Sequence, residues 1–389
     1  MHHDDQVTLA KALLAKLESK TPTIDDSGPW HFDLASRMGD NVMNKERDRV
    51  LRRYPGLFAF SSSLPGPDSY QTVELCGLSV LLTRDNDGAV HAFDNACIHR
   101  GAKLVDQGSG HAGRLVCPYH GWAYDSRGRF VGAPLADCFP DVQHHTSSLA
   151  ELPVVEKDGL IWGVVDRSEG DALDAFVRQL PPEFATFAFQ DHQLYLQQSR
   201  SWNFNWKLGV DTFLENYHFT VLHRHTVAGR IIGNVSINDD FGQIRRSILA
   251  RDTLKELRDK PENTWDVLPR VVSTYFIYPN TILFFFGDRC ETWRMDPGTH
   301  WRSCKVHYAL YAPESEQMDE AALSLRNQYF DRQAEAALKI VEIEDFPVAE
   351  GIQSTMEQGQ ISEVVYGQNE PNLALFYQRI RDDLGCEEK

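Results

Sequence analysis

No stretch of this sequence reaches the roughly 18 consecutive apolar residues that a membrane-spanning helix needs. Its longest apolar stretches, such as Thr281 to Phe286, are strand-sized. The opening residues MHHDDQ lack the basic and apolar regions of a secretory signal, so neither export nor a membrane span is expected. Basic charge is in deficit: 39 Lys+Arg stand against 56 Asp+Glu, a net charge of −17. That balance argues against a nucleic-acid backbone as partner and suits solubility or docking to a basic protein. No internal repeat, low-complexity tract or obvious flexible linker is present. With 42% hydrophobic and 24% charged residues over 389 positions, disorder, collagen and small disulfide scaffolds are excluded. What remains is a folded protein of one large or two ordinary domains.

Paired cysteines are also lacking. The seven, at 76, 97, 117, 138, 290, 304 and 386, are odd in number and widely spread. Together with the absent signal this points to the reducing cytoplasm, where clustered Cys and His read as a metal site before a disulfide. Cys76, Cys138, Cys290, Cys304 and Cys386 fall in no pattern and read as buried or incidental thiols.

Residues 7–19 have the apolar spacing of an amphipathic helix, and 20–55 read as irregular, broken by Pro22, Gly28 and Pro29. From about 56 to 165 the texture is short strands and turns. VELCGLSVLLTR (73–84) and GAVHAFDN (88–95) flank a hairpin turn, DNDG (85–88); DSRG (125–128) is another turn, and GLIWGVV (159–165) a closing strand. After Asp166 the pattern changes. Residues 205–220 are helical in character, 271–279, 281–287 and 305–312 read as strands, and 319–358 as a long helix interrupted at Pro347. The expected fold class is therefore α+β: a small antiparallel β-domain at 56–165, then an antiparallel sheet with helices over it at 166–389, with 1–55 as an N-terminal helical segment.

Two loops in the β block carry chemistry. They read CIHRG at 97–101 and CPYHGW at 117–122: Cys-x-His, a gap of 17 residues, then Cys-x-x-His. Two thiolates and two imidazoles on tight, glycine-flanked turns can hold one metal centre. Zinc sites usually separate the ligand types. Here each loop supplies one of each, the arrangement a two-iron cluster needs if one iron takes both Cys and the other both His. Gly108 to Gly113 matches G-x-G-x-x-G, but that fingerprint requires a preceding strand and a following helix, so it reads as a flexible turn. Without a dinucleotide site, electrons would come from another protein.

The motifs CIHRGAKL and CPYHGWAYD resemble the Rieske [2Fe–2S] motif of ring-hydroxylating oxygenases. Respiratory Rieske proteins carry two further cysteines that form a disulfide; the matching positions here are Ala102 and Tyr119, which favours the oxygenase or soluble-ferredoxin branch.

A second constellation lies at 205–225. Glu215 and His218 are i,i+3, but His218 and His223 stand roughly 140° apart on an ideal helix. They can meet on one metal only if the helix ends, bends or bulges there. Two His and one carboxylate form the facial triad of non-haem Fe(II) oxygenases, yet His-x4-His alone is a weak signal. Asn205-Trp206-Lys207 followed by Glu215-x-x-His218-x4-His223 resembles the mononuclear iron motif of the same family. The resemblance implies His218 and His223 as ligands and Asp345, in EIEDFPVAEGIQ (342–353), as the third, with Glu342, Glu344 and Glu350 as rival carboxylates. His225 reads as a surface or outer residue. The resemblance further implies that Glu215 bridges His218 to His120 of a neighbouring chain. Asp211 stands where many relatives carry Asn near the iron.

Taken over residues 45 to 365, the resemblance implies an α-subunit of a Rieske non-haem iron oxygenase: a Rieske domain of Cys97, His99, Cys117 and His120 followed by a helix-grip catalytic domain. Its expected cofactors are a [2Fe–2S] cluster and mononuclear Fe(II), with NAD(P)H acting only through a partner reductase. Expected partners are that reductase or a ferredoxin, O₂ and a small-molecule substrate. A homotrimer with head-to-tail interfaces is implied, with a β-subunit as a further possibility. The expected function is hydroxylation of an aromatic or similar apolar substrate, as in aromatic hydrocarbon catabolism. The alternatives are O- or N-demethylation and, in another class, a Rieske electron carrier fused to a ligand-binding domain. The alternating faces of VVSTYFIYPN and TILFFFGD are expected to line an apolar cavity.

Overall fold

The computed structural model describes residues 1–19, 22–33, 38–106, 108–142, 146–314 and 318–385; Cys386 lies outside them. No helix among the described residues is long and apolar enough to cross a membrane. The chain forms two compact units. One comprises Arg52–Gln179 with Ala188–Gln193, the other Met1–Leu51, Leu180–Phe187 and Leu194–Lys389.

The first unit is built of small antiparallel sheets. Its five-stranded sheet runs in the order Glu151–Leu152, Val90–Asp94, Leu78–Arg84, Ser69–Leu75, Ser109–His111. The stretch 73–84, read as one strand, is a hairpin. Cys76 and Gly77 both take positive φ (52° and 78°), the backbone of a tight two-residue turn, which the apolar run on either side conceals. The turns at DNDG and DSRG form as expected, closed by Gly88 N–H to Asp85 C=O (3.0 Å) and Gly128 N–H to Asp125 C=O (2.9 Å). Leu78–Arg84 is buried on both faces: Val80 and Leu82 join a core with Ile161, while Leu81 packs with Cys97, Cys117 and Trp122. This period-two division holds the two Cys/His loops against a wall of the sheet. Gly108 to Gly113 contains the edge strand Ser109–His111, with no helix after it.

The helix Gly170–Val177 belongs to this unit, not to the block after Asp166 where the sequence pattern had put it. Phe176 packs edge-on against Trp162 (5.2 Å), and the Asp166 amide donates to the Arg52 carbonyl (2.9 Å).

The second unit carries a seven-stranded antiparallel sheet in the order His192–Trp202, Cys304–Pro313, Cys290–Pro297, Thr281–Phe285, Val271–Ile277, Ile244–Arg251, Ile231–Phe241. Three of these strands are legible as alternating apolar runs. The others, such as Ile231–Phe241, are too polar to announce themselves. Helices Trp206–Leu214, Glu320–Lys339, Phe346–Glu357 and Pro371–Leu384 accompany the sheet. Gly209 lets the first approach closely: a Cβ there would meet Phe204 and Met295 at 2.9 and 3.0 Å. The N-terminal helix His3–Ser19 buries Leu9, Ala10, Leu13 and Leu14 with Val235 and Ile248. Residues 20–55, read as irregular, include the strand Trp30–Asp33, paired with Glu363–Tyr366, and the helix Asp40–Glu46. Both are ordered by partners distant in sequence.

Asn205, Trp206 and Lys207 anchor the helix they begin. Asn205 caps it through the Lys207 amide (3.1 Å) and donates to the Trp301 carbonyl (2.8 Å). Trp206 Nε1 donates to Glu46 Oε2 (2.9 Å), and the Lys207 ammonium pairs with Glu46 Oε1, both residues being fully buried. One turn on, Asp211 accepts from the Tyr377 hydroxyl (2.7 Å), while its other oxygen is shut from solvent without a partner among the described residues. Burial raises the Asp211 carboxyl to about 8.

Glu46→Ala should strand the buried Lys207 cation and cost about 3–5 kcal/mol. Denaturant unfolding checks this; a loss under about 1 kcal/mol would refute a desolvated pair. Because the Asp211 carboxyl is raised in the fold, the unfolded chain releases that proton first, and stability declines as pH climbs from about 4 to about 8. Asp211→Asn should therefore gain thermal stability relative to the parent at pH 8 and little at pH 5; an equal gain at both values would refute the raised carboxyl.

Candidate active site and metal centres

The two Cys/His loops fold alike. The Cys97 amide donates to the Ala102 carbonyl (2.8 Å) and the Cys117 amide to the Trp122 carbonyl (2.8 Å). Each loop then closes through a glycine amide on the cysteine carbonyl, Gly101 at 2.8 Å and Gly121 at 3.0 Å. Both glycines take positive φ, 75° and 72°, a conformation that favours the residue without a side chain. The thiols of Cys97 and Cys117 are buried neighbours. The rings of His99 and His120 meet edge to face at 4.7 Å, and His99 stacks on Trp122 at 4.7 Å. Tyr124 OH reaches Cys97 Sγ at 3.1 Å. Tyr119, where the respiratory proteins have a cysteine, lies against His120 and under the Arg100 guanidinium.

Burial pushes the Cys97 thiol up and holds the His99 imidazole down. Both effects oppose charge in the loops, and a bound cation would favour thiolates and neutral imidazoles there. The four residues do not form a single-ion cluster: among the described residues, the one group of three or more with all donor atoms within 4.8 Å is His218, His223 and Asp345. A thiol pair beside an imidazole pair fits a two-iron cluster split two Cys to two His.

The second constellation converges because its helix stops. Trp206–Leu214 ends at Glu215, whose backbone is extended (φ −138°, ψ 166°), and His218 opens a 3₁₀ turn, His218–Thr220. The helical character expected over 205–220 thus breaks at 215, and the i,i+5 histidines are freed from helical phase. Asp345 closes a π-helical segment, Ile340–Asp345, between the two late helices. The interruption expected at Pro347 is this π segment, with the proline in the first turn of the following helix, where no amide is needed.

His218 Nε2 and His223 Nε2 lie 3.2 Å apart, and Asp345 Oδ1 lies 3.5 and 3.2 Å from them. The other ring nitrogens are held by carboxylates: His218 Nδ1 by Glu215 Oε1, and His223 Nδ1 by Glu344 Oε2 at 2.6 Å. Thr226 Oγ1 also donates to Glu344 Oε2 (2.7 Å). Of the rival carboxylates, Glu344 therefore orients His223, Glu342 pairs with Arg200, and Glu350 accepts from Asn203. His225 contacts Arg224. Glu344, a rival carboxylate in the sequence, is thus the partner of His223 Nδ1, and nothing in the local sequence distinguishes it from Glu342.

Burial lowers the basicity of His223, but Asp345 and Glu344 outweigh it and raise the imidazole above its ordinary value. Burial raises Asp345 despite the two histidines. Two imidazoles among three carboxylates make an electronegative pocket whose aligned N and O donors fit a divalent metal with open positions.

A cavity of about 140 Å³ opens beside these donors. Its walls are mixed, not uniformly apolar as expected: Phe213, Phe219 and Phe284 share it with Asn238, Ser247 and Thr274. No Lys or Arg is among its described lining residues, whereas Glu215 and Asp345 are.

Comparison with known proteins gives the family. Residues 189–385 match the ring hydroxylating alpha subunit (catalytic domain) family, and residues 56–153 the Rieske [2Fe-2S] domain family. Chloroplastic choline monooxygenase of Amaranthus tricolor is 24% identical over 89% of this chain and 75% of its own. The fold is similar to the quaternary ammonium Rieske monooxygenase CntA in complex with L-carnitine (TM-score 0.72, 19% identity, 94% of this chain and 97% of the other). It is also similar to naphthalene 1,2-dioxygenase with indole bound (TM-score 0.69, 18% identity, 93% of each chain). Proteins of this kind draw electrons from a separate reductase or ferredoxin. The chain belongs to the ring-hydroxylating alpha-subunit family of Rieske oxygenases: it is an oxidoreductase, the terminal oxygenase component of a multicomponent system, with a Rieske [2Fe–2S] cluster and a mononuclear iron as its cofactors.

Proposed function

We propose that this oxygenase hydroxylates a small neutral or cationic substrate, with His218, His223 and Asp345 as the iron ligands and Cys97, His99, Cys117 and His120 as the cluster ligands. The observation that carries the reading is the convergence of two Nε2 atoms and one carboxylate oxygen, with each Nδ1 held by a further carboxylate. Bound iron would supply O₂ activation. Glu215 and Glu344 fix the tautomers that leave both Nε2 lone pairs free for it. The phenyl rings of Phe213 and Phe284, 6.0 Å apart, give a substrate an apolar bed and exclude water.

Oxidation of an N-methyl or quaternary ammonium group is a second reading. Phenylalanine faces and carboxylates without a competing Lys or Arg suit a cation, and choline monooxygenase and CntA carry such substrates in their names. A homotrimer, with electrons passing from His120 of one chain through Glu215 to His218 of the next, is supported by the family resemblance and by CntA, whose structure reveals inter-subunit electron transfer. Residues 1–55, 56–165 and 166–389 are proposed as the N-terminal segment, Rieske domain and catalytic domain, with the helix Gly170–Val177 carried by the Rieske side. We place the protein in a reducing compartment such as the cytoplasm, in keeping with its buried free thiols at Cys97, Cys117, Cys290 and Cys304.

Anaerobically purified protein should contain about three irons and two acid-labile sulfides per chain, and O₂ uptake should depend on substrate across a panel of choline-like and aromatic compounds. Cys97→Ser should remove the cluster absorbance. His223→Ala should keep it and abolish turnover; retained turnover would show that the second site is misassigned. Glu344→Ala should weaken Fe(II) binding about 10- to 100-fold with the cluster unchanged, and an unaltered affinity would deny it the orienting role.

A further inference from the structure

Three neighbouring strands place a polar row on the sheet face that lines the cavity. Asn238, Ser247 and Thr274 stand directly opposite one another in register, and Phe284 continues the row on the next strand. All four line the cavity that contains His218, His223 and Asp345. Thr274 is buried and Asn238 and Ser247 are half-buried, and polar groups taken from water are costly unless they are paired.

Their hydrogen bonds run in one direction. A guanidinium only donates. Arg245 Nη1 is held by Asp240 Oδ2 (2.8 Å), and its Nε donates to Asn372 Oδ1 (2.9 Å). That contact sets the Asn372 amide, whose Nδ2 donates to Ser247 Oγ (3.1 Å). The single Ser247 hydroxyl proton then goes to Asn238 Oδ1 (2.8 Å). The relay therefore ends with Asn238 presenting two N–H donors, for which no described residue offers an acceptor. Beside it, Thr274 Oγ1 is buried, the residue 6% exposed, and has no partner among the described residues.

We propose that Asn238 and Thr274 form the substrate-anchoring subsite and that they take an uncharged hydrogen-bond acceptor, a carbonyl, ether or hydroxyl oxygen, on a small substrate whose apolar body lies against Phe213 and Phe284. This deepens the oxygenase reading of the cavity and rests on it. A carboxylate is not the group recognised: no Lys or Arg is among the described lining residues, Arg245 behind the row is engaged by Asp240 and Asn372, and the acids Glu215 and Asp345 share the cavity. The size agrees, since a cavity near 150 Å³ accepts a benzene ring.

The test uses the iron-loaded full-length protein under anaerobic calorimetry with acetophenone, its isostere α-methylstyrene, which replaces the carbonyl oxygen by CH₂, and benzoate. Acetophenone should bind about tenfold more tightly than α-methylstyrene, and benzoate more weakly than either. Asn238→Leu and Thr274→Val should each bring the first two affinities together by weakening acetophenone alone, while Thr274→Ser should restore the difference. Equal affinities in the parent protein, binding of neither probe, or a preference untouched by both substitutions would overturn the subsite. Iron and sulfide content, read on every variant, keeps the two readings apart. A parent chain that binds no mononuclear iron refutes the oxygenase reading, and variants with full iron and an unchanged preference refute only the subsite.

Discussion

Two histidine Nε2 atoms and one aspartate oxygen meet within 3.5 Å of each other, and the catalytic unit is organised around what that meeting requires. Three like-disposed lone pairs repel unless a cation lies between them, so their alignment has to be imposed from outside. Glu215 and Glu344 impose it by gripping the outer ring nitrogens. Both carboxylates sit where regular helix is broken, Glu215 at the end of one helix and Glu344 inside a π segment of another. Regular α-helix would have carried His218 and His223 to different faces. The departures from ideal geometry are what bring the donors together.

The irregular backbone is held by a regular frame. The Glu46, Trp206 and Lys207 cluster and the Asn205 cap fix the start of the site helix, and Gly209 lets its middle lie close to Phe204 and Met295. Beyond Leu214 the helix gives way to the extended backbone that leads to His218 and His223. The Rieske loops use the opposite device. There the backbone closes identical turns twice, and a strand buried on both faces supplies a rigid wall behind the thiols. An electron-transfer centre gains from such stiffness, because small geometric change on reduction keeps the reorganisation cost low.

The sheet supplies much of the cavity wall. The same strands that build an apolar bed from Phe284 also carry Asn238, Ser247 and Thr274, set in register by the antiparallel ladder. The cavity is neither the greasy slot of a pure hydrocarbon site nor a basic pocket for an acid.

The sequence by itself determined the chemistry. The Rieske domain was legible because Cys97, His99, Cys117 and His120 set two rare residue types at a paired spacing, and turns at DNDG and DSRG were legible because their residues encode the backbone locally. The grouping of His218, His223 and Asp345 was legible only through resemblance, since a carboxylate from a segment about 120 residues away leaves no local trace. Tertiary structure alone decided where the helices break, that Cys76 and Gly77 split one apolar run into a hairpin, and that Gly170–Val177 joins the β unit. It decided that Glu344 holds the outer nitrogen of His223 while Asp345 faces the inner one, and that polar residues from three strands line up in the cavity. Each of these depends on partners brought together by folding, and residue order along the chain does not contain their distances.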